Sequence, residues 1–261
     1  MLGIFDSGLG GLTVVRAIEK RLPQAGYVYL GDTARLPYGT KSPTTIERYA
    51  LQALAFLREA GATTPVIACH TVSSVLAGSP SFRRACANLF EGTAPLDVVM
   101  PAVAAARKAT RNGRIGVLGT AATIRSRVYE RELRGKTVVP VAASVLVGIA
   151  EEGWGKDVAV RPLLRKVLAP LRTRRVDTVV LGCTHFPILK RQIRDILGSR
   201  VVIIDPGDEV AALLEASGGT TRGTRSDWRA RHFFATDIPD DFSLRASRFL
   251  GRPITAEAVT L

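Results

Sequence analysis

The sequence predicts an α/β protein of two similar lobes, each a mostly parallel sheet flanked by helices, with its chemistry in the cleft between them. Two observations carry that prediction. Short apolar runs alternate with segments of helical period, the pattern of strands joined by crossover helices. The chain also repeats itself weakly. Gly3-Ile-Phe-Asp-Ser recurs as Gly116-Val-Leu-Gly-Thr, an offset of 113, and Val66-Ile-Ala-Cys-His-Thr recurs as Val180-Leu-Gly-Cys-Thr-His, with Cys69 and Cys183 offset by 114. A repeat that aligns two cysteines at strand ends says more than matched apolar runs alone.

Taken in order, the expected strands are Gly3–Asp6, Tyr27–Leu30, Val66–Cys69, Ile115–Gly119, Val138–Ala142, Thr178–Gly182 and Val201–Asp205. Each is a short apolar run, most of them rich in β-branched or aromatic residues. Helical spacing joins Leu12, Val15, Ile18 and Leu22, then Ile46, Ala50, Ala53, Leu54 and Leu57. It returns at Leu164, Val167, Leu168 and Leu171, and at Leu189, Ile193, Ile196 and Leu197. Pro170 is expected to kink the third of these helices, and Pro187 suits a first helical turn. Residues 1–93 with 206–261 are expected to form the first lobe, and 94–205 the second. Ligands of open α/β sheets bind at the carboxyl ends of strands. Two facing lobes would therefore set Cys69 and Cys183 on opposite walls of one cleft.

With 261 residues, 46% hydrophobic and 23% charged, the chain has the composition of a soluble globular protein. Its longest apolar stretch, Val138 to Ala150, is too short to span a bilayer and runs into Glu151 and Glu152. Asp6 interrupts what would be the core of a signal peptide. Three cysteines are an odd number, which argues against a disulfide framework and for a reducing, cytoplasmic compartment. The net charge of +13 raises nucleic-acid binding as a question. The basic residues are nevertheless spread along the chain. The densest groups, Arg172–Arg174–Arg175 and Arg222–Arg225–Arg229–Arg231, are not interleaved with stacking aromatics. A basic field that attracts an anionic substrate is the favoured reading, and nucleic acid is not expected as a partner.

Cys86 reads as core filling. Cys69 and Cys183 differ, because hydrogen-bonding residues follow each directly: His70, Thr71, Ser73 and Ser74 after the first, Thr184 and His185 after the second. Such neighbours can stabilise a thiolate. A zinc site would need three or four ligands, and neither CxxC nor HExxH spacing is present. A Cys–His nucleophile leaves the second, equivalent cysteine unexplained. Two symmetric thiols suit inversion of a stereocentre, which needs a base on one face of a carbon and an acid on the other. The loop Asp6-Ser7-Gly8-Leu9-Gly10-Gly11 lacks the GxGxxG spacing, because position 13 is Thr13, and it has no Walker lysine. The helix after it is expected to offer N–H groups to a substrate carboxylate. Residues 31–39 and 119–123 add small polar groups after strands.

With these residues in view, the chain resembles the glutamate racemase family almost from end to end. The resemblance rests on GIFDSGLGGLTV, YLGDTARLPYGTKS, IACHTVSS, NGRIGVLGTAATIRS, IAEEGW, DTVVLGCTHFPIL and the tail FFATDIPDDFSLRASRFLG. It implies two α/β lobes, the first completed by the C-terminal segment, without pyridoxal phosphate or metal. It further implies cytoplasmic supply of D-glutamate for peptidoglycan by a homodimer; the alternatives are a related two-cysteine racemase acting on aspartate or another acid, and a non-catalytic regulatory binder. Cys69 would take the α-proton from D-glutamate and Cys183 from L-glutamate, assisted by Asp6 and His185 respectively. Asp32 and Glu151 match two further acidic positions. Glutamate would be held by Ser7, Pro37, Tyr38, Gly39, His70, Thr71, Thr120, Thr123 and Thr184. An alternative for Glu151 is simple capping at a helix start.

The chain departs from that family in two places. His70 stands where the family carries asparagine after the first cysteine, and Ala142-Ala143-Ser144-Val145-Leu146 replaces its cysteine–proline stretch. The first departure bears on efficiency and substrate preference and leaves the thiol pair intact. His70 is expected to be neutral during turnover, with activity falling as pH drops through its ordinary pKa near 6.5.

Overall fold

The computed structural model describes residues 1–218, 231–238 and 242–261. Arg222, Arg225 and Arg229, and residues 239–241 of the tail motif, lie outside the described residues. Ten strands are present among them: β1 (Leu2–Asp6), β2 (Tyr27–Gly31), β3 (Thr64–Ile67), β4 (Leu96–Asp97), β5 (Arg114–Gly119), β6 (Thr137–Ala142), β7 (Thr178–Gly182), β8 (Val202–Ile204), β9 (Arg231–Ala235) and β10 (Glu257–Ala258). They form two sheets, ordered β10-β9-β2-β1-β3-β4 and β6-β5-β7-β8, and every pairing between described strands is parallel.

The repeat read in the sequence is a repeat of topology. β1 lies between β2 and β3 as β5 lies between β6 and β7, and β4 and β8 are equivalent outer strands. Alternate side chains feed separate cores on the two faces of each sheet. In the first sheet Leu2, Ile4 and Tyr29 enter one core, while Phe5, Val28 and Ile67 enter the other. In the second, Val179 and Leu181 face away from Ile115, Val117 and Val180. Sheets buried on both faces need near-continuous apolar strands, which is why the central strands were legible as runs rather than as alternations.

The duplicated glycines have a packing reason. A Cβ on Gly3 would meet the Cβ of Ala62 at 2.6 Å, and one on Gly116 would meet Leu171 Cδ2 at 2.7 Å. Both central strands thus lack a side chain where a neighbouring segment lies directly against them.

Several expectations are revised. Val66–Cys69 ends as a strand at Ile67, and Cys69 becomes the residue before the helix His70–Gly78. The helix Val160–Thr173 runs on through Pro170. Pro187 opens the 3₁₀ turn Phe186–Leu189, which leads into the helix Lys190–Leu197. Strands β4, β9 and β10 were not expected. β4 pairs with β3 just past the 93/94 division, while β9 pairs with β2 from the other end of the chain. The helix Phe242–Leu250 packs on Leu12–Arg21, adding Phe242, Ala246, Phe249 and Leu250 to the first core. No helix among the described residues is long and apolar enough to cross a membrane.

Because the atom facing Gly3 is a Cβ fixed to the backbone, it cannot swing away as a leucine methyl can. Gly3→Ala should destabilise the protein by about 1–3 kcal/mol and Gly116→Ala by less. Urea denaturation of the two variants checks this order; equal or reversed losses would count against it.

Candidate active site

The loops that follow β1, β3, β5 and β7 meet at one cavity of about 480 Å³. The first lobe contributes Ser7, the turn Pro37-Tyr38-Gly39, and Cys69, His70 and Thr71. The second contributes Thr120, Glu151, and Cys183, Thr184 and His185. Both cysteines are free thiols, nearly buried, and each opens into this one space. Among the described residues, no three His, Cys, Asp or Glu side chains converge with metal-ligand spacing.

Cys69 sits at the entrance of a nine-residue helix. Ser7 Oγ lies 3.3 Å from its Sγ, and backbone N–H groups of Ser7 and Val72 also reach the sulfur. These donors favour a thiolate, but they do not prevail. Burial, aided by the negative charge of nearby Asp6, pushes the thiol up to about 12. Cys69 therefore holds its proton in the free protein.

Cys183 has a different neighbour. His185 Nδ1 lies 3.7 Å from its Sγ, and His185 Nε2 is 2.8 Å from Glu151 Oε1. Burial alone would lower the imidazole, but its contacts with Cys183 and Glu151 outweigh burial and raise it to about 10. The hydrogen bond from His185 holds the Glu151 carboxyl below its ordinary range. An imidazolium here stabilises negative charge on the adjacent sulfur. Glu151 lies at the end of the helix Val145–Glu151, so capping of a helix start is not its role. The C-terminal helix steadies this relay from the first lobe: Arg248 Nη1 donates to the Glu151 carbonyl at 2.6 Å, and the Phe249 ring meets the imidazole edge-on at 5.1 Å.

Three expected site residues stand behind the cavity wall rather than in it. Asp6 is buried, accepts from Gly8 N at 3.0 Å through Oδ2, and has no partner for Oδ1. Burial raises its carboxyl, against the pull of His185 and of two backbone N–H groups. Asp32 is fully buried and accepts from Tyr38 Oη, from Arg35 Nε at 2.6 Å and from Thr236 Oγ1 at 2.8 Å. Its work is to fix Tyr38, whose ring does line the cavity. Thr123 is buried and shares a hydrogen bond with the Thr120 hydroxyl at 3.2 Å.

The glycine-rich loop serves lobe contact rather than anion binding. The first N–H groups of the helix Leu12–Arg21 are taken up by its own turn, Thr13 N by Gly10 O and Val14 N by Gly11 O. Gly10 allows the second lobe to come close. A Cβ there would fall 2.2 Å from Thr184 Oγ1 and 2.5 Å from His185 Nδ1. Thr13 Oγ1 donates to the Thr184 carbonyl at 2.8 Å across the same contact.

His70 differs from its expectation. It lines the cavity beside Cys69, yet neither ring nitrogen has a hydrogen-bond partner. Burial with no compensating charge pushes it down to about 3. It is neutral as expected, but it does not titrate near 6.5 and cannot set an acidic limit there. Sequence reading also missed Arg125, which lines the cavity and whose Nη2 donates to the Gly39 carbonyl of the opposite lobe at 3.0 Å. Its place in the motif GTAATIRS, on the turn after Thr120 and Thr123, was the available signal.

Comparison with known proteins agrees with this geometry. Residues 11–214 match the family model for Asp/Glu/hydantoin racemases. A glutamate racemase of Geobacter metallireducens is 41% identical over 260 residues, covering 96% of this chain and 92% of that one. Among solved structures, a glutamate racemase isoform from Bacillus anthracis superposes with a TM-score of 0.86 at 32% identity, covering 100% of this chain and 97% of its own. A glutamate racemase of Francisella tularensis, in complex with D-glutamate, gives 0.84 at 30% identity, with coverage of 99% and 97%.

The two imidazoles should separate in an NMR titration: His70 neutral down to a midpoint near about 3, His185 charged up to about 10. Glu151→Gln removes the anionic partner and should move the His185 midpoint down. The linkage to stability has opposite signs. The His185 contribution is complete below its unfolded value near 6.5 and is lost as pH rises through about 10. His70 binds its proton more readily when unfolded, so it costs stability as pH falls from about 6.5 toward 3, a loss that His70→Asn should reduce. A His70 midpoint near 6.5, or a His185 midpoint unmoved in Glu151→Gln, would contradict these assignments.

Proposed function

The chain belongs to the Asp/Glu/hydantoin racemase family, and from that premise we propose that it interconverts L- and D-glutamate by proton transfer between Cys69 and Cys183. The observation that carries this reading is the opening of two free thiols, one from each lobe, into one cavity.

For the L to D direction, the Cys183 thiolate takes the α-proton from one face of the substrate. The electron pair of the broken C–H bond passes into the α-carboxylate system. The Cys69 thiol then gives its proton to the opposite face of the same carbon. One C–H bond has broken and one has formed, and Cys183 is now protonated while Cys69 is a thiolate. Exchange with water restores the starting state: Cys183 gives its proton to solvent, favoured by the positive charge of His185 beside the sulfur, and Cys69 takes one from solvent. Asp6, whose Oδ1 is unpartnered and whose carboxyl is raised, assists the return at Cys69. The D to L direction begins from the state in which Cys69 lacks its proton.

The two thiols begin from unequal positions. Cys69 is neutral in the free protein, while Cys183 has a charged imidazole at hand. Enantiomers have equal free energy, so kcat/KM must be the same in both directions. The inequality can therefore appear only as a matched difference in kcat and KM. Ser7, Pro37, Tyr38, Gly39, His70, Thr71, Thr120 and Thr184 contact glutamate in this reading, and Thr123 acts through Thr120. Neutral His70 offers one donor and one acceptor to the bound amino acid. The motif resemblance supports a homodimer in the cytoplasm that supplies D-glutamate for peptidoglycan.

Single-thiol variants test the division of labour. Cys69→Ala and Cys183→Ala should each lose net racemisation by a factor of at least about 10³, because one face of the carbon has no proton group. In deuterium oxide, Cys69→Ala should still exchange the α-hydrogen of L-glutamate with retention, and Cys183→Ala that of D-glutamate. NMR of the α-proton with chiral analysis reads both outcomes. Near-normal racemisation by either variant, or exchange of the wrong enantiomer, would contradict the assignment.

A further inference from the structure

We infer that Arg125 determines the preference for an acidic amino acid, by binding the side-chain carboxylate at the mouth of the cleft; this rests on the reading of the site as glutamate-directed. The argument starts from the charges that face the cavity. Among its lining residues, Arg125 is the one lysine or arginine. His185 is also cationic, but its charge is matched by Glu151 at 2.8 Å. Cys69 is neutral because burial keeps its proton on, and His70 is neutral because burial keeps its second proton off. Arg125 is therefore the one lysine or arginine facing the cavity, and no carboxylate among the described residues pairs with it. Glutamate at neutral pH carries two carboxylates and one ammonium, a net charge of −1. Glutamine carries none.

The guanidinium is also positioned for this work. It ends the short helix Ala121–Arg125, whose first turn is fixed by Thr120 Oγ1 accepting from Thr123 N. That helix lies against the turn Tyr38–Thr40 of the first lobe, so closely that a Cβ on Gly39 would be 3.3 Å from that of Ala122. Among the described residues Arg125 makes one hydrogen bond, from Nη2 to the Gly39 carbonyl, an acceptor that bears no charge. No carboxylate among the described residues pairs with it. A guanidinium has five N–H donors in a planar fork. One holds the opposite lobe, and others remain for a carboxylate that enters beside it. A bound side-chain carboxylate would thus strengthen the bridge across the cleft mouth as it is recognised, coupling binding to closure.

The test compares wild type, Arg125→Gln and Arg125→Lys in the racemisation of glutamate and glutamine, at low and raised salt. Loss of one charge-assisted hydrogen bond corresponds to about 10- to 100-fold in affinity. Arg125→Gln should therefore raise KM for glutamate by about that factor and reduce the glutamate-over-glutamine ratio of kcat/KM. It should also flatten the salt dependence of kcat/KM. Arg125→Lys keeps the charge without the fork and should recover most of the loss. The proposal is overturned if Arg125→Gln keeps the wild-type KM and glutamate preference. It is also overturned if kcat falls at constant KM with no rescue by lysine, since Arg125 would then be a latch between lobes without a part in recognition. Wild-type protein that fails to turn over glutamate would instead overturn the parent reading, an outcome read from the first arm alone.

Discussion

Gly10 carries no side chain, and the space one would occupy is filled by the other lobe. Thr184 Oγ1 and His185 Nδ1 lie where even a single methyl would collide, and Thr13 ties the Thr184 carbonyl down beside them. The separation of the two thiols depends on this contact. Cys69 is fixed to the first sheet through β3, and Cys183 to the second through β7, with no covalent constraint between them beyond the chain itself. A cavity sized for one small molecule, with a sulfur on each lobe, exists because the glycine loop lets the lobes approach without filling the gap. The residues that resemble a phosphate loop are better understood as a backbone surface on which the second lobe rests.

The two halves of the cleft share topology but not electrostatics. Both thiols stand after equivalent strands, as a duplicated βα unit places them. Around Cys69 there is burial, an anion behind the wall and a hydroxyl, and the thiol keeps its proton. Around Cys183 there is a half-buried imidazole with a carboxylate partner, held from outside by the C-terminal helix. One thiol is prepared as acid and the other is supplied with a cation. The two lobes provide equivalent positions, and Glu151 and His185 on one side give the two thiols different surroundings.

Much of this was legible because local pattern and buried position coincide. The central strands are apolar runs since both faces are covered, and the repeat of Gly3 and Gly116 marks the close packing at equivalent central strands. The outer strands were not legible. β4 and β10 are two residues long, and β9 begins with Arg231 and His232 and is recognised only by pairing with β2, far away in sequence. The site shows the same division. Cys69, Cys183 and His185 follow their strands directly and could be named from position. Asp32 could not be separated from the cavity wall, because its role is set by Tyr38, Arg35 and Thr236 around it. The titration of His70 depends on burial, which no neighbouring residue reports. Arg125 was missed because its significance comes from Gly39, a residue of the other lobe.

The central claim is that hydrogen leaves one face of the α-carbon and arrives from a different group on the other. The most direct measurement is the circular dichroism of a single protiated enantiomer of glutamate, followed to completion with wild-type protein in deuterium oxide. With two thiols, the product takes its deuteron from solvent-equilibrated sulfur. The forward reaction then breaks C–H bonds while the reverse breaks slower C–D bonds. The signal should pass through zero, overshoot to the opposite sign and return, from either enantiomer. A monotonic decay to zero, with the original hydrogen retained in the inverted product, would mean that one group serves both faces and would contradict the account.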